Sequence, residues 1–470
     1  MIRNSFTSTK PRAILFVVIF SVMGVVALLL TRAAVPTHSV ATEAEFGSLS
    51  GGATVVTGDS SALNGSYVRF GNPAAPDSYR VLRVFASEQE SSQATSAQEQ
   101  EQAEHLVSIT TNGNRYNIAQ IHSWASDGAS INGGQITVLK YINGSHVTGC
   151  AAARGSGLAA ADREGSYLFH KGTDNFLMDI GKPGWQNDRA TAASAIVTGA
   201  NAFDGVWFDT LGPDVIGNGY NSAIGTDCSS PVTDTKTVPY HNGQYYDDTS
   251  WGAAAGALLQ TVKRQLPATK VIAFNGSRTA SDPAWQGGSV GMHENWLGIL
   301  STTDYPTVEK WLHDLGELVD VANAGKILQV YVKPCFGNGY QTGCTGPVDA
   351  TGHGAAMNAV HLFALSTFLL GTDGNQQFEF RYNKGPTLWD PYWDRLLIGR
   401  PSGGYKQASE VYYRQFTHGF VAVNPSPSAV TVSLPFLNGR YTSLDNGSSK
   451  SYSGTLSITA NSGVVLMSNF

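Results

Sequence analysis

Two short segments carry carboxylates in settings suited to acid–base chemistry. The first is FDGVWFDTLGP, residues 203–213. Asp204 opens its apolar run and Asp209 closes it before a Gly-Pro loop. A strand buried through Val206, Trp207 and Phe208 would leave the Asp209 carboxyl emerging at its end, while Asp204 sits at the opposite pole and reads as structural. The second segment is SVGMHENW, residues 289–296, with Glu294 ending another apolar run. A buried carboxylate is costly unless paired, and burial beside Trp296 would raise its pKa, as a general acid requires. Two carboxylates facing one another across a pocket can hydrolyse a glycosidic bond. One protonates the leaving oxygen, and the other attacks the anomeric carbon or activates water.

The elements that must position these groups read as strands alternating with helices. The strand candidates are Tyr116–Trp124, Ile136–Tyr141, Asn175–Ile180, Asp204–Thr210, Lys270–Asn275, Ser289–Glu294, Lys326–Val332 and Asn375–Arg381. Helical segments fall at Asp188–Gly199, Trp251–Leu266, Thr307–Ala324 and Gly354–Leu370. This pattern predicts an α/β fold, a (β/α)8 TIM-type barrel. Reactive groups in such barrels project from the C-terminal strand ends. Asp209 and Glu294 close the fourth and sixth predicted strands and can face each other across the mouth. Further strand-end residues are expected to contact sugar: His122 and Trp124, Lys140 and Tyr141, Asp179, Asn275, His293, Lys333, and Gln377 and Glu379. Trp185 and Trp296 add indole faces that can stack on a pyranose, whereas Trp207 reads as barrel wall.

The chain has 470 residues, 42% hydrophobic and only 14% charged, with 52 glycines. A net charge of −6 gives no basic footprint for nucleic acid. Arg12 and Arg32 bracket nineteen uncharged residues, long enough to span a bilayer. The cations Arg3, Lys10 and Arg12 precede them, so the positive-inside rule puts residues 1–12 in the cytoplasm and the rest outside. The expected organisation is a cytoplasmic tail (1–12), a transmembrane signal-anchor (13–31), a stalk and linker with a short β-rich segment (32–104), the barrel (105–404) and a small C-terminal antiparallel β domain (405–470). Cleavage of the N-terminal segment would instead give a secreted protein. Either route permits disulfides. Cys335 with Cys344, flanking a Gly-rich loop, and Cys150 with Cys228 are the favoured pairs among three possible pairings. No Walker A, G-x-S-x-G, G-x-G-x-x-G or H-E-x-x-H pattern occurs, so nucleotide enzymes, the usual serine hydrolases and zincins lack support. No cofactor or metal is expected. The expected partners are a polysaccharide or oligosaccharide and, through one helix, the membrane.

With FDGVWFDT, the AFNGS strand, MHENW and SEVYYRQFTHGFVAVNPS, the chain resembles the hypothetical glycoside-hydrolase-like TIM-barrel proteins, nearest to glycoside-hydrolase-like family 15, over roughly residues 105–470. Its R-x-F-x-x-G-x-V-x-V-N-P phrase is Arg414, Phe416, Gly419, Val421, Val423, Asn424 and Pro425. The resemblance implies a sugar-acting barrel with Asp209 and Glu294 as the catalytic pair. By analogy with barrels carrying a strand-four aspartate and a strand-six acid, Asp209 is the nucleophile or base and Glu294 the general acid/base. The competing expectation is a non-catalytic carbohydrate-binding or adhesion protein on the same barrel.

Overall fold

The computed structural model describes residues 137–170, 174–199, 203–213, 222–229, 238–334, 355–381 and 395–468, together with 232 and 392. It also gives the backbone of residues 233–234 and of five short strands before residue 122. The chain divides into two compact units, Met1–Asp77 and Ser78–Phe470. In the first, Thr54–Thr57 pairs antiparallel with Ser66–Arg69. The expected membrane span at 13–31 lies outside the described residues. Among those described, no helix is long and apolar enough to cross a membrane.

The second unit is an α/β fold built on a parallel half-barrel sheet. Its strand order is Arg83–Val84, Gln377–Phe380, Ile327–Val332, Val290–Glu294, Val271–Asn275, Gly205–Asp209, Thr137–Asn143, Ile118–Ile121, Ala86–Ser87. Every neighbouring pair is parallel. The strands are largely apolar on both faces, as suits parallel strands covered on both sides, with Gln329, Gln377 and Glu379 as buried polar exceptions. One face supplies Val206, Phe208, Ile272, Phe274, Leu328 and Val330 to the large core shared with the helices. The other gathers Leu139, Trp207, Ala273, Met292 and Tyr331 into a separate inner cluster. Trp207, expected in the wall, packs in this inner cluster, its ring 5.6 Å from that of Tyr141.

Local sequence explains the helices. Pro183 occupies the first turn of Pro183–Thr198, where its missing N–H costs nothing. Asp247 and Ser250 form a reciprocal capping box on Asp248–Gln265, satisfying two donors that the first turn leaves free. The Thr307 hydroxyl accepts from the Lys310 N–H at the start of Val308–Asn323. Ala355–Gly371 is buried nearly all round because the sheet lies on one side and the C-terminal domain on the other.

The sequence-based strand assignment needs two corrections. Asn175–Ile180 was expected in the parallel sheet, but Asn175–Leu177 pairs antiparallel with His146–Thr148 and Tyr167–His170. With Ser222–Ile224 and Thr233–Asp234 these make a five-stranded antiparallel sheet. It is built from the segments that follow the Thr137–Asn143 and Gly205–Asp209 strands. A short apolar run is buried in either setting, so its pattern names no partner. Secondly, the parallel sheet reaches back to Arg83–Val84 and Ala86–Ser87, ahead of the expected start at residue 105. These pieces are too short to show a period beside the polar linker.

The C-terminal sheet has six antiparallel strands, from Lys406–Ala408 to Ser462–Ser468. Its sequence phrase has a structural account. Arg414 donates through one terminal nitrogen to the carbonyls of Leu369, Leu370 and Thr372, at the C-terminal end of the buried helix, and through Nε to Gly403. A guanidinium there satisfies acceptors that the helix itself leaves open. A Cβ at Gly419 would lie 2.4 Å from the Leu466 carbonyl oxygen. The Asn424 amide donates to Ser428 and Thr459 carbonyls, tying two turns together. Arg414→Ala is expected to destabilise the unit by about 2–4 kcal/mol, since hydrogen bonds to a charged donor contribute ~1.5–3 kcal/mol and their buried partners are left open. Calorimetric unfolding checks this. An unchanged transition would reject the docking role.

Candidate active site

Asp209, Asn275, Glu294 and Lys333 lie at the C-terminal ends of four parallel strands. Side chains alternate along a strand, so Trp207 and Asp209 share the inner face, as do Ala273 and Asn275, Met292 and Glu294. Register places Asp209 opposite Asn143 and Asn275 opposite Met292. The backbone around these ends is packed too tightly for side chains. A Cβ on Gly144 would stand 2.5 Å from the Asp209 carbonyl oxygen. Gly276, at φ +111°, would put one 2.1 Å from Gly212 Cα, so glycines let the loops after Asp209 and Asn275 touch. The residues following the two carboxylates, Thr210 and Asn295, both adopt φ 58°. Such left-handed backbone at a non-glycine costs on the order of 1–3 kcal/mol and clusters at functional sites.

One side chain joins the two carboxylates. Asn275 Nδ2 donates to Asp209 Oδ1 at 3.0 Å and to Glu294 Oε2 at 2.6 Å. The two oxygens therefore lie no more than about 5.6 Å apart. Asp209 Oδ1 also accepts from the Thr210 N–H at 2.8 Å, and Oδ2 accepts from the Tyr141 hydroxyl at 2.9 Å. Glu294 Oε1 pairs with the Lys333 ammonium. Lys333 is only 7% exposed at its side chain, whereas Glu294 keeps 26%.

The surroundings pull the two carboxyls apart. Burial and then the neighbouring Glu294 charge push Asp209 above the usual carboxylate range, against its hydrogen bonds from Asn275, Tyr141 and Thr210. Burial acts on Glu294 in the same sense, but the Lys333 ammonium and the bonds from Lys333 and Asn275 outweigh it and hold that carboxyl below its usual range. The expectation that burial beside Trp296 would raise Glu294 is therefore reversed. Trp296 is fully buried and donates to the Asp314 carbonyl, so its indole offers no exposed face for a pyranose.

Of the other residues expected at the sugar site, the structure brings three to the pair, Tyr141, Asn275 and Lys333. His122 and Trp124 lie outside the described residues. Lys140 projects from the outer face, its ammonium 5.3 Å from the centre of the Phe203 ring, because strand alternation opposes it to Leu139 and Tyr141. His293 also faces outward, bonded through Nδ1 to Glu317 at 2.6 Å, and burial drives its pKa down to about 3. Trp185 is core, donating to the Gly144 carbonyl with Arg189 over its ring. Glu379 is buried in the interior 3.9 Å from Arg381, which donates to the Tyr331 hydroxyl. Asp179 is buried and accepts from the Tyr246 hydroxyl at 2.7 Å beside His241 Nδ1 at 2.8 Å. Asp204 accepts from the Val138 N–H, the structural role expected of it. Tyr331 and Arg381 were missed. Counting in twos along each strand from Lys333 and Glu379 would have found both.

Asp179 and His241 come from the segments following two neighbouring strands, and a disulfide joins the same segments through Cys150 and Cys228, with Cα atoms 5.9 Å apart. Cys335 and Cys344 lie outside the described residues. Among the described residues, His293, Asp314 and Glu317 place ligand-type atoms within 4.8 Å of one another. The Lys310 ammonium already sits 2.7 Å from Asp314, and a cation there opposes a metal ion.

The profile of hypothetical glycosyl hydrolase family 15 matches residues 158–420. No curated protein matches the sequence. Among solved structures, the chain is similar to a noncanonic maltogenic alpha-amylase from Thermotoga neapolitana, at 10% identity and TM-score 0.47, over 82% of this chain and 98% of that one. It is similar to a GH31 dextranase from Flavobacterium johnsoniae at 11% identity and TM-score 0.46, over 86% of this chain and 55% of that one. A third is the glycoside hydrolase domain of PelA from Pseudomonas aeruginosa, at 14% identity and TM-score 0.33, over 54% of this chain and 83% of that one.

Proposed function

This chain belongs to hypothetical glycosyl hydrolase family 15, and on that premise we propose that it is a glycoside hydrolase whose catalytic pair is Asp209 and Glu294. The observation that carries this reading is the single Asn275 amide nitrogen bonded to both carboxyls. It ties two strand-end acids within about 5.6 Å. Retaining glycosidases hold their carboxyls ~5–5.5 Å apart, and inverting enzymes ~6.5–9.5 Å apart to admit a water. The spacing favours retention through a covalent glycosyl-enzyme. The parallel sheet supports a closed (β/α)8 barrel, because its two ends, Arg83–Val84 and Ala86–Ser87, are separated by one residue of chain. The substrate is a polysaccharide or oligosaccharide. The uncharged run at 13–31 behind three cations anchors the protein in the membrane with this unit outside the cell.

The test is incubation of the full-length chain with a broad polysaccharide panel, reading new reducing ends and the anomer first released by proton NMR. Net retention at one linkage is expected. Glycan binding that survives Asp209→Asn, with no product at long times, would instead identify a non-catalytic carbohydrate-binding protein.

A further inference from the structure

The pair is asymmetric in a way that its strand positions do not reveal. Glu294 is held by two groups that only donate, the Lys333 ammonium on Oε1 and the Asn275 amide on Oε2. Asp209 Oδ1 likewise meets two donors, the Asn275 amide and the Thr210 N–H. Asp209 Oδ2 meets the Tyr141 hydroxyl, which can accept a hydrogen bond as well as donate one. Of these partners, Tyr141 is the one against which a carboxyl proton can point.

We infer that the site holds its proton on Asp209, at Oδ2 against Tyr141, and its charge on Glu294, with Lys333 as the positioning residue that sets this order. Under the glycosidase reading, on which the roles rest, Glu294 is then the nucleophile and Asp209 the acid/base, the reverse of the order suggested by analogy. The Glu294 carboxylate forms a bond to the anomeric carbon as the bond to the leaving oxygen breaks, and that oxygen takes the Asp209 proton. Water then attacks the anomeric carbon of the glycosyl-enzyme and gives a proton back to Asp209, and the bond from that carbon to Glu294 breaks so that Glu294 leaves as carboxylate. Among the groups that face the pair from neighbouring strands, Lys333 imposes this order on Glu294, against the hydrogen bonds that Asn275 and Tyr141 donate to Asp209. Tyr141 faces it from Thr137–Asn143 and Asn275 from Val271–Asn275, while Lys333 follows Ile327–Val332. His293 lies on the outer face of the Glu294 strand and, its pKa driven down to about 3 by burial, brings no charge to the pair at neutral pH. The opposite shifts of the two carboxyls, Asp209 up and Glu294 down, fit this order.

The order can be read without a substrate. Infrared pH titration of the full-length chain follows the carboxyl bands, with Asp209→Asn and Glu294→Gln removing one each. The band lost in Asp209→Asn is expected to titrate at the higher pH. Lys333→Met should raise the Glu294 midpoint by more than one pH unit, and Lys333→Arg should return most of it. If the band lost in Glu294→Gln titrates at the higher pH, the inference is overturned. That reading comes from wild type and the two carboxyl variants, so it holds even if Lys333→Met fails to fold. On any glycoside that the enzyme cleaves, azide should rescue Glu294→Ala with a glycosyl azide inverted relative to the substrate. The same product from Asp209→Ala would overturn the roles. If no glycoside is cleaved, the glycosidase reading fails while the infrared order still stands or falls by itself.

Discussion

Glu294→Gln is expected to lower kcat by about 10³-fold or more, and Asp209→Asn by about 10²–10⁴-fold, the range for a proton-transfer residue. Both amides keep shape and lose chemistry. Their effects on stability should differ. An amide at 209 can still accept from Asn275 and Thr210 and can donate to Tyr141, so it mimics a neutral acid and the melting temperature should change little. An amide at 294 leaves the Lys333 ammonium, 7% exposed, without its counter-charge. Breaking a buried pair from one side costs ~3–5 kcal/mol, and the partial exposure of Glu294 brings the expected loss to about 1–3 kcal/mol. Turnover on a cleaved glycan and calorimetry on the same preparations separate the two effects. A Glu294→Gln enzyme within tenfold of wild type would remove Glu294 from the mechanism.

Replacing both Cys150 and Cys228 by alanine should produce the largest purely structural effect. The bridge closes a loop with a sequence separation of 78. The chain-entropy account gives roughly 4.5 kcal/mol for such a loop, and measured values mostly fall at ~2–4 kcal/mol. The two segments it joins build the five-stranded sheet and carry Asp179, His241 and Tyr246. Without the bridge, those three side chains and the sheet pairing must hold the segments together. The double variant should melt lower and be cut earlier by protease within residues 144–182 and 210–247. Equal melting and equal digestion would mean that the sheet and the buried Asp179 suffice.

Both acids were legible in the sequence for one physical reason. A carboxylate directly following a run such as GVWF or VGMH cannot share that run's burial without partners, so it must emerge at the strand end or be paired. The helix segments followed from apolar spacing, and the C-terminal β domain from alternation. Period alone failed where burial does not encode a partner. Asn175–Leu177 is as apolar as a barrel strand yet pairs antiparallel in the added sheet. Lys140, His293 and Trp296 were placed at the sugar site by nearness in sequence, but a one-residue step along a strand, or the turn after it, sends a side chain away from the mouth. Roles were harder still. Strand number says where Asp209 and Glu294 stand, whereas which one holds the proton depends on groups arriving from other strands. Lys333 lies 39 residues from Glu294, and Tyr141 lies 68 from Asp209. The sequence by itself determined that two acids end two buried strands of an alternating α/β chain. Only the tertiary structure decided that one asparagine joins them and that a buried lysine meets one of them, because long-range approach sets the local field and no residue's own neighbours in the chain contain it.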